Sequence, residues 1–504
     1  MGVHAVMGGP WSSIRGKVLA GVRIGVPSRW VTPGLVDEVL AEAGVAGGRF
    51  RALPGRLGVY FVLGLCLHAG KAYRVVMEDL AAGLDGELGV AGWQVPAATA
   101  LSGVRRRLGE KPFELLFRRL AGALSPGTAP WSHIGGLLAV AWDGTTVTAP
   151  ASEANIAAFG RPRGKKDGHY PQVRLVTLIA CGSRGLLGAA LGPLRGCGER
   201  ALARDLLSHL GPGMLLLADR GFYGYQLWNA AAGTGADLLW RVTAAMHLPA
   251  VRALPDGSWL THVNDPAEVT RRARRNGARR RRGSTLAPDT GPLPGITVRV
   301  IEFWLTVATQ DGGTRTERYR LITTLLDHCA HPAGQLAAGY AWRWAAETGY
   351  AEFKTYLRGP GRILRSRTPE LARQELWAYL AICQAIRAVI ALAAAGAGLD
   401  PDQISFTTTL HAIRRTLQTA RTSPDAALAG TEAAITAVLI PRREGRVCVR
   451  AVTRPSSPFP SRRNAKDPVA QHTERTITIR HHTHPPCTTT DQPRQPQNQG
   501  NQPP

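Results

Sequence analysis

Hydrophobic and polar positions along the 504-residue chain follow two rhythms. Up to about residue 128 the apolar residues recur at helical spacing. PGLVDEVLAEAG, from Pro33 to Gly44, opens on proline and closes on glycine, which is how helices start and stop. GRLGVYFVLGLCLHAG (55–70) is apolar nearly throughout, and its length predicts a buried helix rather than a strand. VPAATALSGVRRRLG (95–109) predicts a further helix carrying Thr99, Ser102, Arg105, Arg106 and Arg107. From residue 137 the apolar runs shorten. LLAVAWDGTTVTA, YPQVRLVTLIACG and LLGAALGPL read as three strands, GMLLLADRGFYG as a fourth and DLLWRV as a fifth. ERALARDLLSHL and YGYQLWNAAAGTG read as helices between the later ones. Three early strands followed by strands alternating with helices predict a mixed α/β sheet.

Residues 245 to about 335 break that rhythm with Gly- and Pro-rich turns, the alternating runs ITVRVIEFWLTVAT and RYRLITTLL, and an arginine block. They predict a β-rich insertion before the next helix. PELARQELWAYLAICQAIRAVIALAAAG (369–396) predicts a long apolar helix. The division expected is a helical N-terminal domain at 1–128, an α/β domain at 129–395 interrupted by the insertion, a helical segment at 396–452, and a tail at 453–504. The tail, rich in Pro, Thr, Gln, Asn and His, is expected to be disordered.

YAWRWAAETGYAEFK (340–354) carries the first sign of chemistry. At about 100° per residue, Tyr340, Arg343, Glu347 and Lys354 fall on one stripe of a helix, beside an apolar stripe. Many charged helix faces are merely solvated, so the stripe alone decides nothing. Two carboxylates elsewhere change the picture. Asp143 and Asp219 each end an apolar run, in LLAVAWDG and MLLLADRG, and such a carboxylate at a sheet rim must be solvated, paired or metal-bound. Three carboxylates can hold two divalent metal ions for phosphoryl transfer.

Charge points the same way. The net charge of +25 suits a polyanionic partner, and nucleic acid is the commonest. Seven cysteines without a CxxC pair argue against a disulfide framework or a structural zinc site. No uninterrupted apolar stretch reaches about 18 residues and the first residues lack a signal core, so neither a membrane span nor secretion is expected.

The motifs together resemble the bacterial insertion-sequence DDE transposases, in the branch with a β-strand insertion before the catalytic glutamate. That branch carries Y-x2-R-x3-E-x6-K, matched here by Tyr340, Arg343, Glu347 and Lys354. AWDGTTV and ADRGFYGY resemble its two aspartate motifs, and the likeness extends over roughly residues 30–395. The resemblance implies an RNase H-like core, with Asp143, Asp219 and Glu347 as catalytic metal ligands for two Mg2+ ions (Mn2+ as a substitute). It implies that Tyr340, Arg343 and Lys354 contact transposon-end DNA, that a homodimer acts on double-stranded ends and target, and that the protein is cytoplasmic and on the nucleoid when DNA-bound.

Further DNA contacts are expected from Arg105, Arg106 and Arg107 in the N-terminal helix, from Lys165 and Lys166 in GRPRGKKDGHYPQVR, and from Arg274, Arg275, Arg279 and Arg280. The last four belong to RRARRNGARRRRG, expected to be a loop. Trp240, Trp259 and Trp304 read as core residues, or as a surface for an unstacked base. RHHTHPPC reads as solvated tail. Glu352 is the alternative should Glu347 not serve. Two rivals stand beside the transposase reading: a decayed relative that only binds DNA, and a nuclease on the same core.

Overall fold

The computed structural model describes residues 23–45, 53–82, 94–125, 129–162, 169–282, 287–309, 314–417, 424–441 and 472–480. Its N-terminal part contains α1 (Pro33–Glu42), α2 (Gly55–Leu67), α3 (Tyr73–Ala82), α4 (Ala98–Leu108) and α5 (Lys111–Leu120). Thr32 caps α1 by accepting the Leu35 N–H, and Pro33 occupies its first turn. Within α2, Leu57, Tyr60, Phe61, Leu63 and Leu67 are all buried, and each such side chain is worth about 1.5–3 kcal/mol over an exposed one.

The chain then builds one sheet from β1 (His133–Ile134), β2 (Leu137–Thr148), β3 (Gln172–Ala180), β4 (Leu186–Pro193), β5 (Met214–Ala218) and β6 (Asp237–Arg241). Helix α6 (Glu153–Phe159) follows β2, α7 (Glu199–Arg204) follows β4, and α8 (Tyr225–Ala232) joins β5 to β6. The core order is β4-β3-β2-β5-β6, antiparallel among the first three and parallel from β2 to β5 to β6. This is the RNase H-like arrangement expected. Strand alternation divides the core between two faces. Ala139, Ala141, Leu215 and Leu217 face one cluster, with the N-terminal helices and the C-terminal half of the chain. Val140, Trp142, Leu216 and Ala218 face the other, beneath α7 and α8.

The insertion extends this sheet. It supplies β7 (Arg252–Ala253), β8 (Trp259–Asn264), α9 (Pro266–Arg281), β9 (Gly295–Thr309) and β10 (Thr314–Thr323). β10 pairs antiparallel with β6, Leu321 opposite Arg241, so the sheet continues β6-β10-β9-β8-β7. The arginine block, expected as a loop, is the helix α9. Asp265 caps it by accepting the Ala267 N–H, Pro266 begins it, Glu268 sits in its first turn, and Arg and Ala are strong helix formers.

The chain returns through α10 (Ala333–Gly339), a 3-10 turn (Tyr340–Arg343), α11 (Trp344–Ala351) and a π turn (Glu352–Leu357). Arg299 on β9, fully buried, donates to the Leu325 and His331 carbonyls at 3.3 and 2.7 Å and pairs with Asp256. It thereby fixes the bend from β10 into α10. Next come α12 (Pro369–Ala397), α13 (Phe406–Thr416) and α14 (Pro424–Thr436). α12 is long and apolar enough to cross a membrane by composition, with mean hydropathy 1.9, but 72% of that window is buried inside the protein.

The tail departs from expectation. His472–Ile479 forms β11, antiparallel to β9 with Ile477 opposite Leu305. Its HTERTITI sequence alternates Thr with Ile, and Ile477 and Ile479 pack on the first core cluster. The remainder of 453–504, including all of RHHTHPPC beyond Arg480, lies outside the described residues.

Candidate active site

Asp143 and Asp219 owe their meeting to register and alternation. β2 and β5 run parallel, with Leu138 opposite Met214 and Ala141 opposite Leu217. The ladder ends there, and the same register carried two residues further would set Asp143 opposite Asp219. Both continue the stripe that runs through Ala139 and Ala141 on one strand and Leu215 and Leu217 on the other. Their side chains therefore emerge on the face that α11 covers. Each aspartate commits Oδ1 to the next main-chain N–H, from Gly144 at 2.9 Å and from Arg220 at 2.7 Å.

Glu347 joins them from α11. Its Oε1 accepts from Arg343 Nη2 at 3.0 Å. Arg343 is 6% exposed. Burial opposes its charge, but the Tyr340 phenol and the carboxylates of Asp219, Glu347 and Asp143 outweigh burial and raise its pKa. One guanidinium thus sits in the field of all three acids. Burial pushes the Asp143 carboxyl up to about 6, Arg343 and the Gly144 N–H pull it down, and Glu347 and Glu199 push it up. Lys354 is half-buried in the π turn; burial and Arg358 lower its pKa, and Asp143 raises it.

The carboxylates suit a hard divalent cation, since they offer oxygen donors alone. The site is open rather than closed. Among the described residues, one trio of potential ligands has its donor atoms within 4.8 Å of one another, Asp327, His328 and Cys329 on the turn after β10. The Asp143–Asp219–Glu347 set is looser than that, with Arg343 bonded to Glu347.

Several expected contacts are placed elsewhere. Tyr340 is 4% exposed, and its hydroxyl donates to the Ala218 carbonyl at 3.2 Å, so its ring faces the protein and not DNA. Arg343 likewise turns toward the carboxylates. The uniform helical stripe fails because the segment is a 3-10 turn over Tyr340–Arg343 and widens to a π turn after Ala351. Arg105 is 2% exposed, donating to Gln374 at 3.0 Å and Ser366 at 2.7 Å. It binds α4 to the start of α12 and is unavailable to DNA, whereas Arg106 and Arg107 are exposed. Arg274, Arg275, Arg279 and Arg280 are exposed along α9. Lys165 and Lys166 lie outside the described residues. Glu352 is buried between Arg184, at 2.8 Å, and Arg387, and so cannot stand in for Glu347. Trp240 and Trp259 are core residues, but Trp304 is 40% exposed.

Three residues near the site belong to none of the motifs. Glu199 packs its carboxylate against Gly144, where a Cβ would meet it at 2.5 Å. Trp344, beside Arg343, is exposed. Tyr350 donates to the Asp143 carbonyl at 2.6 Å. The apolar stripe of the helix contains Tyr350, but nothing in the spacing marks its hydroxyl.

Comparison with known proteins agrees with this geometry. Residues 22–118 match the family model for the N-terminal region of the insertion element 4 transposase, and residues 135–384 match the transposase DDE domain. The second match contains all three carboxylates. The chain belongs to the IS4-type DDE transposases. The transposase is 28% identical over 397 residues to the Escherichia coli (strain K12) transposase InsG for insertion sequence element IS4, covering 77% of this chain and 82% of that protein. It is 29% identical over 224 residues to the putative transposase InsZ of the same strain, covering 44% of this chain and 69% of that one. A solved piggyBac transposase synaptic complex with hairpin DNA aligns with the transposase at a TM-score of 0.40 and 9% identity, covering 84% of this chain and 86% of that one. Divalent metal use and DNA as a partner follow from membership of the DDE transposases.

Proposed function

We propose that this transposase binds the terminal inverted repeats of its own element and cuts and rejoins DNA there, with Asp143, Asp219 and Glu347 holding two Mg2+ ions. The observation that carries the reading is that the buried Arg343 lies in the field of Asp219, Glu347 and Asp143 at once, the two aspartates lying just beyond the paired stretch of the neighbouring parallel strands β2 and β5. Bound divalent ions supply Lewis acidity at the phosphate and lower the pKa of a coordinated water or hydroxyl.

In the first reaction the water oxygen bonds to phosphorus as the P–O3′ bond breaks. The water's proton ends on the departing oxygen, leaving a 3′-hydroxyl on the transposon strand and a 5′-phosphate on the flank. In the second, that 3′-hydroxyl attacks a target phosphorus and displaces the target's own 3′-oxygen, which takes up the proton. One phosphodiester replaces another, so strand transfer needs no energy source. The chain's residues act as orienters. Arg343 holds Glu347 toward the aspartates, Lys354 offers a point charge near Asp143, and the exposed arginines of α9 with Arg106 and Arg107 supply phosphate contacts. Two transposon ends must be handled together, so a homodimer on DNA is the expected assembly.

Glu347→Gln tests the reading. With labelled terminal-repeat DNA and Mg2+, nicking is expected to fall by several orders of magnitude while binding persists. Wild type with chelator should bind and not nick. A wild type that binds but never nicks under any divalent metal would identify a decayed binder. Nicking without joining, on any duplex, would identify a nuclease.

A further inference from the structure

The segment that carries Glu347 is attached to both aspartate strands by phenols. Tyr340, at its start, donates to the main-chain carbonyl of Ala218, the residue before Asp219, at 3.2 Å. Tyr350, ten positions later, donates to the main-chain carbonyl of Asp143 itself at 2.6 Å. Glu347 lies between the two. The Tyr350 hydroxyl also lies 2.9 Å from Thr177 Oγ1. A phenol has one proton, and given to Asp143 it leaves Tyr350 accepting from Thr177. Thr177 is the residue directly opposite Asp143 on β3, and it is 1% exposed.

These bonds fall where the sheet stops holding the aspartates to each other. The β2–β5 ladder ends at Ala141 and Leu217, short of the Asp143–Asp219 level. Beyond that point no pairing between these two strands sets the height of one aspartate against the other. Both acceptors are main-chain carbonyls, so the phenols act on the backbone of the aspartate strands and not on a carboxylate rotamer. Arg343, by contrast, bonds to the Glu347 carboxylate itself.

We propose that Tyr350, with Tyr340 as its counterpart, is a positioning residue that sets how tightly the three carboxylates bind a divalent metal. The inference rests on the reading that Asp143, Asp219 and Glu347 hold metal. Tyr350 itself touches neither metal nor DNA. It acts through the backbone of Asp143, and hydrogen-bonding groups that hold metal ligands are commonly worth tenfold or more in metal affinity.

The test uses the full chain as wild type, Tyr350→Phe, Tyr340→Phe, Thr177→Val and Asp143→Asn. Mn2+ affinity is read by electron paramagnetic resonance without DNA, nicking is followed against Mg2+ concentration, and Tm is measured in chelator. Tyr350→Phe keeps the ring and its packing. It is expected to weaken Mn2+ binding about tenfold and to raise the Mg2+ concentration for half-maximal nicking in parallel. Nicking at saturating Mg2+, repeat binding and Tm should stay near wild type. Tyr340→Phe and Thr177→Val should shift Mn2+ affinity in the same direction.

Wild-type Mn2+ affinity in Tyr350→Phe overturns the inference, whatever happens to Tm. Should Tyr350→Phe fail to fold, Thr177→Val decides: weaker Mn2+ binding supports the positioning role and unchanged binding overturns it. Asp143→Asn separates this failure from failure of the underlying reading. If wild type binds no Mn2+, or Asp143→Asn binds it equally well, the carboxylates do not hold metal and both readings fall. If Asp143→Asn loses Mn2+ while Tyr350→Phe does not, only the positioning role falls.

Discussion

Burial pushes the Asp143 carboxyl up to about 6 from an ordinary value of 3.8. Between those values the folded chain holds a proton that the unfolded chain has lost. Folding stability in chelator should therefore fall as pH rises through this window and level off above it, the reverse of a salt-bridged aspartate. Asp143→Asn removes the penalty. At pH 7 without metal it should be more stable than wild type by about 1–3 kcal/mol, with no difference near pH 4. Chelator melting curves at the two pH values would show it, and equal Tm at pH 7 would refute it. Glu352→Gln should do the opposite. It leaves Arg184 and Arg387 buried beside a neutral amide and should cost about 3–5 kcal/mol by urea unfolding, whereas Glu347→Gln, at a half-exposed site, should barely move the midpoint. At this scale the two aspartates are legible as candidates because each ends an apolar run, whereas Glu347, on a helix, is marked only by the spacing of its motif. The fate of identical neighbours is not legible. Arg105, Arg106 and Arg107 differ only in their phase relative to α12, which no local pattern encodes. Tyr340 falls outward on a uniform helical wheel, which does not know where the helix tightens.

Among whole elements, α9 and β11 show why composition misleads. Eight arginines in residues 271–282 suggest a loop because like charges repel, yet a capped start and intrinsic propensity suffice for a helix with no buried residue. Replacing Arg274, Arg275, Arg279 and Arg280 with Gln should flatten the dependence of log affinity on log salt by about 0.9 for each phosphate no longer neutralised. An unchanged slope would exclude α9 from DNA contact. β11 is hidden by the low-complexity composition around it, although its Thr–Ile alternation is a strand signal. Its pairing with β9 covers an edge and brings Arg480 to the buried Glu302 at 2.6 Å. A chain ending at residue 471 should be less stable by about 1–3 kcal/mol, the worth of roughly one well-buried aliphatic side chain. It should also self-associate more readily through the bared edge. A Tm and an elution volume both equal to the full chain's would show β11 to be dispensable. The core strands, by contrast, are legible nearly to their ends, because short apolar runs between turn residues leave little choice of register.

For the molecule as a whole, the decisive arrangement is that the insertion adds strands to the catalytic sheet instead of forming a separate lobe. Five inter-strand steps separate β2 from β8, the strand that leads into α9. At about 4.8 Å per step they span roughly 24 Å, and sheet twist turns the far end by about 100–125°. Duplex DNA advances about 3.4 Å per base pair, so a duplex following this sheet from Asp143 would cover about seven base pairs by the level of β8, the strand that delivers α9. On the proposed reading the sheet would act as a ruler. Neutral methylphosphonate linkages placed near that distance inside a transposon end should weaken binding, while the same linkages a half-turn away should be tolerated. Shortening the insertion by a strand pair would shorten the ruler, and the spacing between grip and cut would shrink with it.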